Sequence, residues 1–224
     1  MDQLNRYALI VAGGSGTRMN SSMPKQFLVV AGKPILMHTI EKFLEADPYT
    51  QIILVLPFSE LLTWKALCVD FNFHKKIKLA EGGKSRYESV RNGLKTIHED
   101  EALVAIHDGV RPCISPEIIN KSYEVAALYG NAIASVALKD SIRMISSEAN
   151  SSVDRNAFRL IQTPQTFRFS LIKEAYSSTE LPHFTDDASV AENAGMKIYL
   201  IEGSYQNIKI TMPEDLMFAE SLLG

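Results

Sequence analysis

Residues 7–26 read YALIVAGGSGTRMNSSMPKQ, a short apolar run followed directly by a glycine-rich turn. The run Tyr7–Val11 is apolar on both faces, which is typical of a strand covered by helices on both sides of a sheet. The glycines that follow have no Cβ, so their backbone N–H groups can approach a phosphate chain closely. They are Gly13, Gly14 and Gly16. The stretch therefore predicts a phosphate-binding loop at the carboxyl end of a buried strand.

Two cations and the spacing of the glycines indicate which class of phosphate-binding loop this is. Arg18 and Lys25 would add positive charge beside the glycines. The G-x-G lacks the third glycine of a dinucleotide-binding motif, because Met19 stands at that position, and the stretch contains no G-x-x-x-x-G-K-[ST] motif. The whole pattern, Ala12 to Gln26, is typical of a nucleotidyltransferase loop. A tight strand-to-helix turn with surface cations is the alternative.

Beyond this loop, short apolar runs alternate with longer amphipathic ones, which indicates βαβ units on a mostly parallel sheet. Further strands are predicted at Gln51–Leu56, Ile77–Ala80, Leu103–His107 and Asn131–Ala137. Helices are predicted at Ile35–Ala46, Glu60–Phe71, Ser85–His98, Pro116–Tyr129 and Pro213–Leu223. We expect one α/β domain over residues 1–224, with a mixed, mostly parallel sheet flanked by helices.

One stretch breaks the alternation. Residues 139–162 contain two β-like pieces, SIRMI and AFRLIQ, around the polar EANSSVDRN. We expect a β-arm that projects from the sheet, and an exposed arm with apolar residues usually needs a partner. The arm therefore favours a homodimer, and an ordinary hairpin folded back on its own domain is the alternative.

Composition and charge argue against several classes of protein. The formal net charge is −3, whereas a general nucleic-acid binder usually carries a basic surplus. Cys68 and Cys113 are too few for a disulfide framework or a Cys-rich zinc site, and fit a cytosolic protein with reduced thiols. The chain begins without a signal-peptide pattern, and no apolar run approaches the ~18 residues of a membrane span. We expect a cytoplasmic protein without nucleic-acid or membrane partners.

Two further places have residues suited to ligand binding. Gly82 and Gly83 end a strand, and Ser89 in the next helix would place a hydroxyl beside the first glycine loop, suited to a flat pyrimidine. Asp108 closes another strand, and ligands bind at the carboxyl ends of strands in open α/β sheets. Mg²⁺ prefers one or two carboxylates together with phosphate oxygens and water. Taken alone, a strand-end aspartate more often forms a turn or caps a helix.

Six blocks in order resemble the cytidylyltransferases that activate sugar and polyol phosphates, in particular the family that acts on 2-C-methyl-D-erythritol 4-phosphate in the non-mevalonate isoprenoid pathway. The resemblance spans nearly the whole chain. It implies a Rossmann-like nucleotidyltransferase fold and transfer of a cytidylyl group from CTP to that polyol phosphate, with release of pyrophosphate. The blocks are G-x-G-x-R-M with P-K-Q, GGKSRYESVRNGL (Gly82–Leu94), IHDGVRPC (Ile106–Cys113), VDRNAFRLIQTPQTF (Val153–Phe167), TDDASVAENAG (Thr185–Gly195) and EGSYQNIKITMPEDL (Glu202–Leu216).

The resemblance also implies roles for particular residues. The implied catalytic cations are Arg18, Lys25 and Lys209, the last on an alternating Ile-Lys-Ile strand. The implied CTP contacts are Ala12, Gly13, Gly14, Gly16, Gly83 and Ser89. The implied acceptor contacts are Asp108, Gly109, Arg111, Ser141, Arg155 and Thr163. Asp108 would hold Mg²⁺, and Arg155 on the arm would reach the acceptor site of the neighbouring subunit.

Four other residues are expected to have no direct part in ligand binding. Lys84 stands where the family can place a residue that holds the cytosine, but a lysine cannot accept a hydrogen bond. We expect Arg86 to be structural, His107 to be packed within its strand and Asp187 to cap a helix.

Two alternative functions are a ribitol 5-phosphate cytidylyltransferase, which shares the HD-x-x-RP block, and a non-catalytic regulator that binds CTP or a sugar phosphate.

Overall fold

The computed structural model describes residues 4–14, 23–147 and 149–224. Its strands are β1 (Asn5–Val11), β2 (Val29–Val30), β3 (Lys33–Pro34), β4 (Gln51–Leu56), β5 (Ile77–Glu81), β6 (Ala102–Asp108), β7 (Asn131–Ala137), β8 (Arg143–Ile145), β9 (Asn150–Ser152), β10 (Arg159–Arg168) and β11 (Leu200–Glu202). Its helices are α1 (Ile35–Ala46), α2 (Leu61–Asp70), α3 (Arg86–Leu94), α4 (Pro116–Tyr129), α5 (Phe169–Ala175), α6 (Asp187–Asn193) and α7 (Pro213–Leu223). Among these helices, none combines the length and the apolar character that a bilayer crossing requires.

Within the described residues, seven strands form one sheet in the order β11-β7-β10-β6-β1-β4-β5. Strand β10 runs antiparallel to both of its neighbours, and the other pairs are parallel. The predicted mixed, mostly parallel α/β sheet is confirmed. Because β1, β4 and β6 run in the same direction, their carboxyl ends meet at one edge of the sheet.

The sheet has a hydrophobic core on each face, and successive residues of a strand enter opposite cores. In β1, Ala8 and Ile10 pack on the side of α1 and α4, whereas Tyr7 and Leu9 pack on the side of α3 and α5. Side chains of a strand point alternately to its two faces, so a strand buried on both faces must be apolar at nearly every position. This explains why the continuous apolar runs predicted strands well.

Helix α4 begins and ends where its capping residues predict. The Ser115 hydroxyl accepts a hydrogen bond from the backbone N–H of Ile118, Pro116 occupies the first turn, and Gly130 ends the helix with a φ of +92°. Tyr123 on this helix is fully buried, and its hydroxyl donates a 2.8 Å hydrogen bond to the carbonyl of Tyr7 in β1. The helix is thereby attached to the central strand by a polar contact within the core.

Helix α3 and the segment around Lys209 differ from the prediction. Helix α3 ends at Leu94 instead of His98, because the N–H and the hydroxyl of Thr96 both donate to the carbonyl of Gly93 and form a tight turn. The expected strand around Lys209 does not form: the N–H of Ile210 donates to the carbonyl of Val110, in the turn after β6, and residues 208–210 join no ladder. The alternating Ile-Lys-Ile pattern belongs to an extended segment outside the sheet.

The segment predicted as an arm divides into two parts. Strands β8 and β9 pair with each other in a small, exposed two-stranded sheet. Residues 159–162 instead form the start of β10, where Arg159 pairs with Ala137 of the main sheet. The part outside the main sheet therefore ends before Arg159, and it exposes Met144, Ile145 and Phe158.

We expect Tyr123→Phe to lower the free energy of unfolding by about 0.5–1.5 kcal/mol, because the buried hydrogen bond to β1 is lost while the ring volume is kept. Urea titrations of the parent and the variant measure the difference. Tyr49→Phe is the matched control, since Tyr49 is 89% exposed. Equal losses in both variants would contradict a stabilising role for the buried hydroxyl.

Candidate active site

A cleft of about 320 Å³ opens at the carboxyl ends of β1 and β6. One wall is the end of β1 with the first glycine loop, residues 11–14, and another is the turn at residues 83–89. Asp108, Lys25 and Lys209 come from three other segments of the chain. The structure thus brings together the glycine loop, the serine turn and the strand-end aspartate that the sequence singled out. Gly16 and Arg18 lie outside the described residues.

The serine turn is held by its own side chain. The hydroxyl of Ser89 accepts a 3.0 Å hydrogen bond from the N–H of Gly83 and donates a 2.8 Å hydrogen bond to the carbonyl of Ser85. A Cβ on Gly83 would lie 2.2 Å from the Cβ of Glu88, so only glycine fits there. Ser89 is buried, and its hydroxyl shapes the backbone of the cleft wall.

Lys25 lies just after the glycine loop, in a single 3₁₀ turn at residues 25–27. Its Nζ donates a 3.1 Å hydrogen bond to the carbonyl of Ile210, in the extended segment that also holds Lys209. The neighbouring Gln26 donates through Nε2 to the carbonyl of Ala12 at 3.0 Å. These contacts attach both lysine-bearing segments to the end of β1.

Among the described residues, three cations surround the carboxylate of Asp108. Lys209 Nζ lies 2.9 Å from Oδ2, Arg111 Nε lies 3.5 Å from Oδ2, and Arg86 Nε lies 3.6 Å from Oδ1. Burial alone would raise the pKa of Asp108, but Arg86, Lys209 and Arg111 together hold that pKa well below its usual range. Asp108 is therefore ionised at neutral pH.

The described residues that line the cleft have a strong excess of positive charge. Four cationic side chains, Lys25, Lys84, Arg86 and Lys209, face a single carboxylate, that of Asp108. The chain as a whole has a formal net charge of −3. An acidic protein with a local concentration of cations in one concave site is suited to a polyanionic ligand such as a polyphosphate.

The predicted acceptor contacts do not all lie in one place. Thr163 is next to Asp108, because its hydroxyl accepts a 3.1 Å hydrogen bond from the Asp108 N–H. Ser141 and Arg155 are exposed and do not line the cleft, and the guanidinium of Arg155 donates to the carbonyl of Lys139. Within one chain, the arm residues are therefore separated from the cleft.

Gly109 has a packing role that its position in the sequence did not reveal. Its N–H donates to the carbonyl of Val11 at 2.9 Å, and a Cβ there would lie 2.9 Å from Ala12 Cβ and from Leu36 Cδ1. The absence of a side chain lets the ends of β1 and β6 approach each other behind the cleft. Gly109 therefore supports the site through the backbone.

The prediction that Asp187 caps a helix is wrong. Helix α6 starts at Asp187, and Asp186 is the N-cap, accepting a 2.9 Å hydrogen bond from the N–H of Ser189. Asp187 is fully buried and forms a bidentate ion pair with Arg86. Two adjacent aspartates before a helix do not indicate which one is the cap. Arg86 has the predicted structural contact, but it also lines the cleft, as Lys84 does.

His107 is packed within its strand, as predicted. It is fully buried, its ring meets the edge of Phe43 at a centroid distance of 5.1 Å, and its Nε2 lies 3.2 Å from the carbonyl oxygen of Arg111. Burial lowers the pKa of His107 to about 4. The imidazole is therefore neutral at pH 7 and is shielded from the cleft.

The fold and the cleft define a nucleotidyltransferase: a glycine loop after the first strand, a second glycine turn and a cationic pocket at the carboxyl ends of a mostly parallel sheet. Residues 7–224 match the family model described as IspD, 2-C-methyl-D-erythritol 4-phosphate cytidylyltransferase. The chain belongs to this family, and the resemblance found in the sequence is confirmed.

Curated relatives and a solved structure match this chain over nearly its full length. The 2-C-methyl-D-erythritol 4-phosphate cytidylyltransferase of Phocaeicola vulgatus is 45% identical over 220 residues, covering 98% of this chain and 100% of the relative. The one from Geobacillus kaustophilus is 39% identical over 224 residues, covering 99% and 98%. The crystal structure of 4-diphosphocytidyl-2C-methyl-D-erythritol synthase from Anaerococcus prevotii is 29% identical, covers 98% of this chain and 96% of that one, and has a TM-score of 0.83.

We expect the free energy of unfolding to fall as the pH drops from about 6.5 to about 4, with His107 contributing up to about 3 kcal/mol. The unfolded chain protonates this histidine near pH 6.5, whereas the folded protein does so only near pH 4. The contribution is therefore fully present above pH 6.5 and is lost toward pH 4. Urea titrations across this range should show a flatter profile for His107→Gln. A matching change in His74→Gln, at an exposed position, would argue against this assignment.

Proposed function

We propose that this chain transfers the cytidylyl group of CTP to 2-C-methyl-D-erythritol 4-phosphate and releases pyrophosphate. The observation that carries the proposal is the cleft, where the described lining residues place four cationic side chains and one carboxylate beside the first glycine loop. Membership of the family supports this acceptor over ribitol 5-phosphate, and supports catalysis over regulation by bound CTP. A binding regulator has no need for so many cations around the reacting phosphate.

In this reaction, an oxygen of the acceptor phosphate attacks the α-phosphorus of CTP in line. The new P–O bond forms as the bond to the β-phosphate bridging oxygen breaks, and pyrophosphate carries away the electron pair. A phosphate monoester is anionic at neutral pH, so no general base is required. The difficulty is to bring two polyanions together, and fixed positive charge lowers that barrier.

The roles of the residues follow from their places in the cleft. Lys25 and Lys209 would neutralise the triphosphate and the charge that develops in the transition state, together with Arg18 from the glycine loop. The backbone of Ala12, Gly13 and Gly14, with Gly16 from the same loop, would approach the phosphates. The turn at Gly83 and Ser89 would face the base and sugar.

A divalent cation such as Mg²⁺ fits the donor set at Asp108. This is the one acidic side chain among the described residues that line the cleft, and Mg²⁺ is commonly held by one or two carboxylates with phosphate oxygens and water. The described residues contain no cluster of three or more His, Cys, Asp and Glu side chains that could hold a metal without substrate. Asp108 would thus hold an ion that the phosphates complete, and bound Mg²⁺ would supply further neutralisation of their charge.

The acceptor would lie on the other side of Asp108, where Arg111 and Thr163 contact this carboxylate and its backbone N–H. Gly109 would line it only through the backbone. Ser141 and Arg155 belong to the exposed arm segment, so we place them at the acceptor site of a partner copy in a homodimer. The enzyme would act in the cytoplasm, with small-molecule substrates alone.

We expect the parent protein to release pyrophosphate from CTP and Mg²⁺ with 2-C-methyl-D-erythritol 4-phosphate, and Lys25→Ala to lose roughly 10²–10³-fold in kcat, because a preorganised cation is removed from the transition state. A coupled pyrophosphate assay measures both. Lys42→Ala is the matched control, since Lys42 is paired with Glu45 on α1 outside this cleft. Product with only ribitol 5-phosphate, or a Lys25→Ala rate within a few-fold of the parent, would contradict the proposal.

We expect Arg155→Ala mainly to raise the KM for the acceptor, because the arm of each subunit would supply this cation to its partner's site. Mixing it with Lys25→Ala subunits, which keep Arg155, should restore activity through mixed dimers. The control is Arg143→Ala, since Arg143 lies in β8 and pairs with Asn150 of its own arm. Failure of the mixture to recover activity, when sedimentation shows that subunits exchange, would count against a shared site.

A further inference from the structure

The carboxylate of Asp187 is fully buried at the start of α6, and both of its oxygens are occupied. Oδ1 accepts from Arg86 Nη1 at 2.9 Å and from the Tyr176 hydroxyl at 2.6 Å, and Oδ2 accepts from Arg86 Nη2 at 2.7 Å. A carboxylate is costly to bury without such partners. Bidentate pairing also fixes the plane of a guanidinium, so Asp187 determines how Arg86 is oriented.

Arg86 extends from this buried pair to the cleft. Its side chain remains 30% exposed and lines the cleft, and its Nε lies 3.6 Å from Oδ1 of Asp108. A guanidinium has five N–H donors in a rigid fork. The pair with Asp187 uses one donor on each Nη atom, which leaves the Nε edge directed to Asp108. A lysine could not face both carboxylates in this way.

The contacts continue on the other side of Asp108. Lys209 Nζ lies 2.9 Å from Oδ2 of Asp108, so an unbroken series of polar contacts joins Tyr176 and Asp187, through Arg86 and Asp108, to Lys209. The two ends of the series come from α5–α6 and from the segment after β11. The place of Arg86 beside Asp108 thus depends on a carboxylate outside the cleft.

We propose that Asp187, supported by Tyr176, is a positioning residue for the cytidylyl transfer: it holds Arg86 against Asp108 so that this guanidinium meets the phosphates in one fixed geometry. This inference rests on the proposed cytidylyl transfer. The competing view is that Asp187 only joins α6 to α3. The two views differ in whether the rate per folded active site changes when the carboxylate is removed.

The test is Asp187→Asn, which keeps the shape of the side chain and removes its charge. We expect kcat per folded site to fall on the order of 10- to 100-fold, because small displacements of catalytic groups are costly. The KM for CTP should stay the same or decrease, since a guanidinium released from Asp187 can still bind phosphate in the ground state. CTP titration by calorimetry gives the concentration of folded sites and an affinity independent of turnover.

Asp186→Ala is the matched control. Asp186 caps the same helix and accepts a 2.8 Å hydrogen bond from Gln165, but it does not contact Arg86. This variant should lower the melting temperature and leave kcat per folded site within about twofold of the parent. If Asp187→Asn folds poorly, Tyr176→Phe takes its place, because it weakens the anchor and keeps the ion pair; we then expect a several-fold lower kcat with an unchanged KM for CTP.

A second experiment uses the Arg86→Met variant as its background. Adding Asp187→Asn to Arg86→Met should change kcat less than twofold, because Asp187 acts only through Arg86. A further large loss there, a parental kcat in Asp187→Asn and Tyr176→Phe, or an equal fall in Asp186→Ala would each overturn the inference. A parent that forms no cytidylyl product overturns the proposed function itself, which the activity of the unaltered protein reveals separately.

Discussion

The carboxylate of Asp108 is the contact on which the cleft depends. It is placed at the end of a fully buried strand, where water cannot balance its charge well, and three cations of the described part of the chain do so instead. Those cations repel one another, and without a carboxylate among them the cleft would be costly to assemble in a folded protein. The buried charge of Asp108, together with that of Asp187 behind Arg86, therefore helps an acidic chain to hold several positive charges in one small space.

The backbone of the cleft imposes a second constraint, because two of its glycines lie where a side chain would not fit. Gly109 permits the end of β6 to pack against Ala12 and Leu36, and Gly83 permits its turn to pack against Glu88. These two glycines need no positive φ; they are required because a side chain would collide with neighbouring atoms. The close packing at Gly109 thus sets the distance between Asp108 and the glycine loop.

Much of the fold could be predicted from the sequence because its signals are local. The bounds of β4, β7, α1 and α4 agree with the apolar runs and caps, since a strand buried on both faces and a capped helix each leave a continuous pattern. The alternating pattern at Lys209 was misleading, because an extended segment that packs one face produces the same alternation without a ladder. The pair between Arg86 and Asp187 joins residues 101 positions apart, so no local pattern reveals it. The roles of Gly109 and Asp187 became visible only with their neighbours in space.

The three cations at Asp108 are not equivalent, and their differences fit the proposed reaction. Arg86 is anchored by Asp187, and Arg111 is anchored by a 2.7 Å hydrogen bond from its Nη1 to the carbonyl of Asn207. Lys209 has a side chain that is 43% exposed, compared with 11% for Asp108 and Arg111. In the proposed reaction, an incoming polyphosphate would draw Lys209 away from Asp108 at little cost, while the two anchored arginines would still balance the carboxylate. The flexible stem of a lysine suits the cation that must exchange partners, and the rigid fork of an arginine suits those that must stay in place.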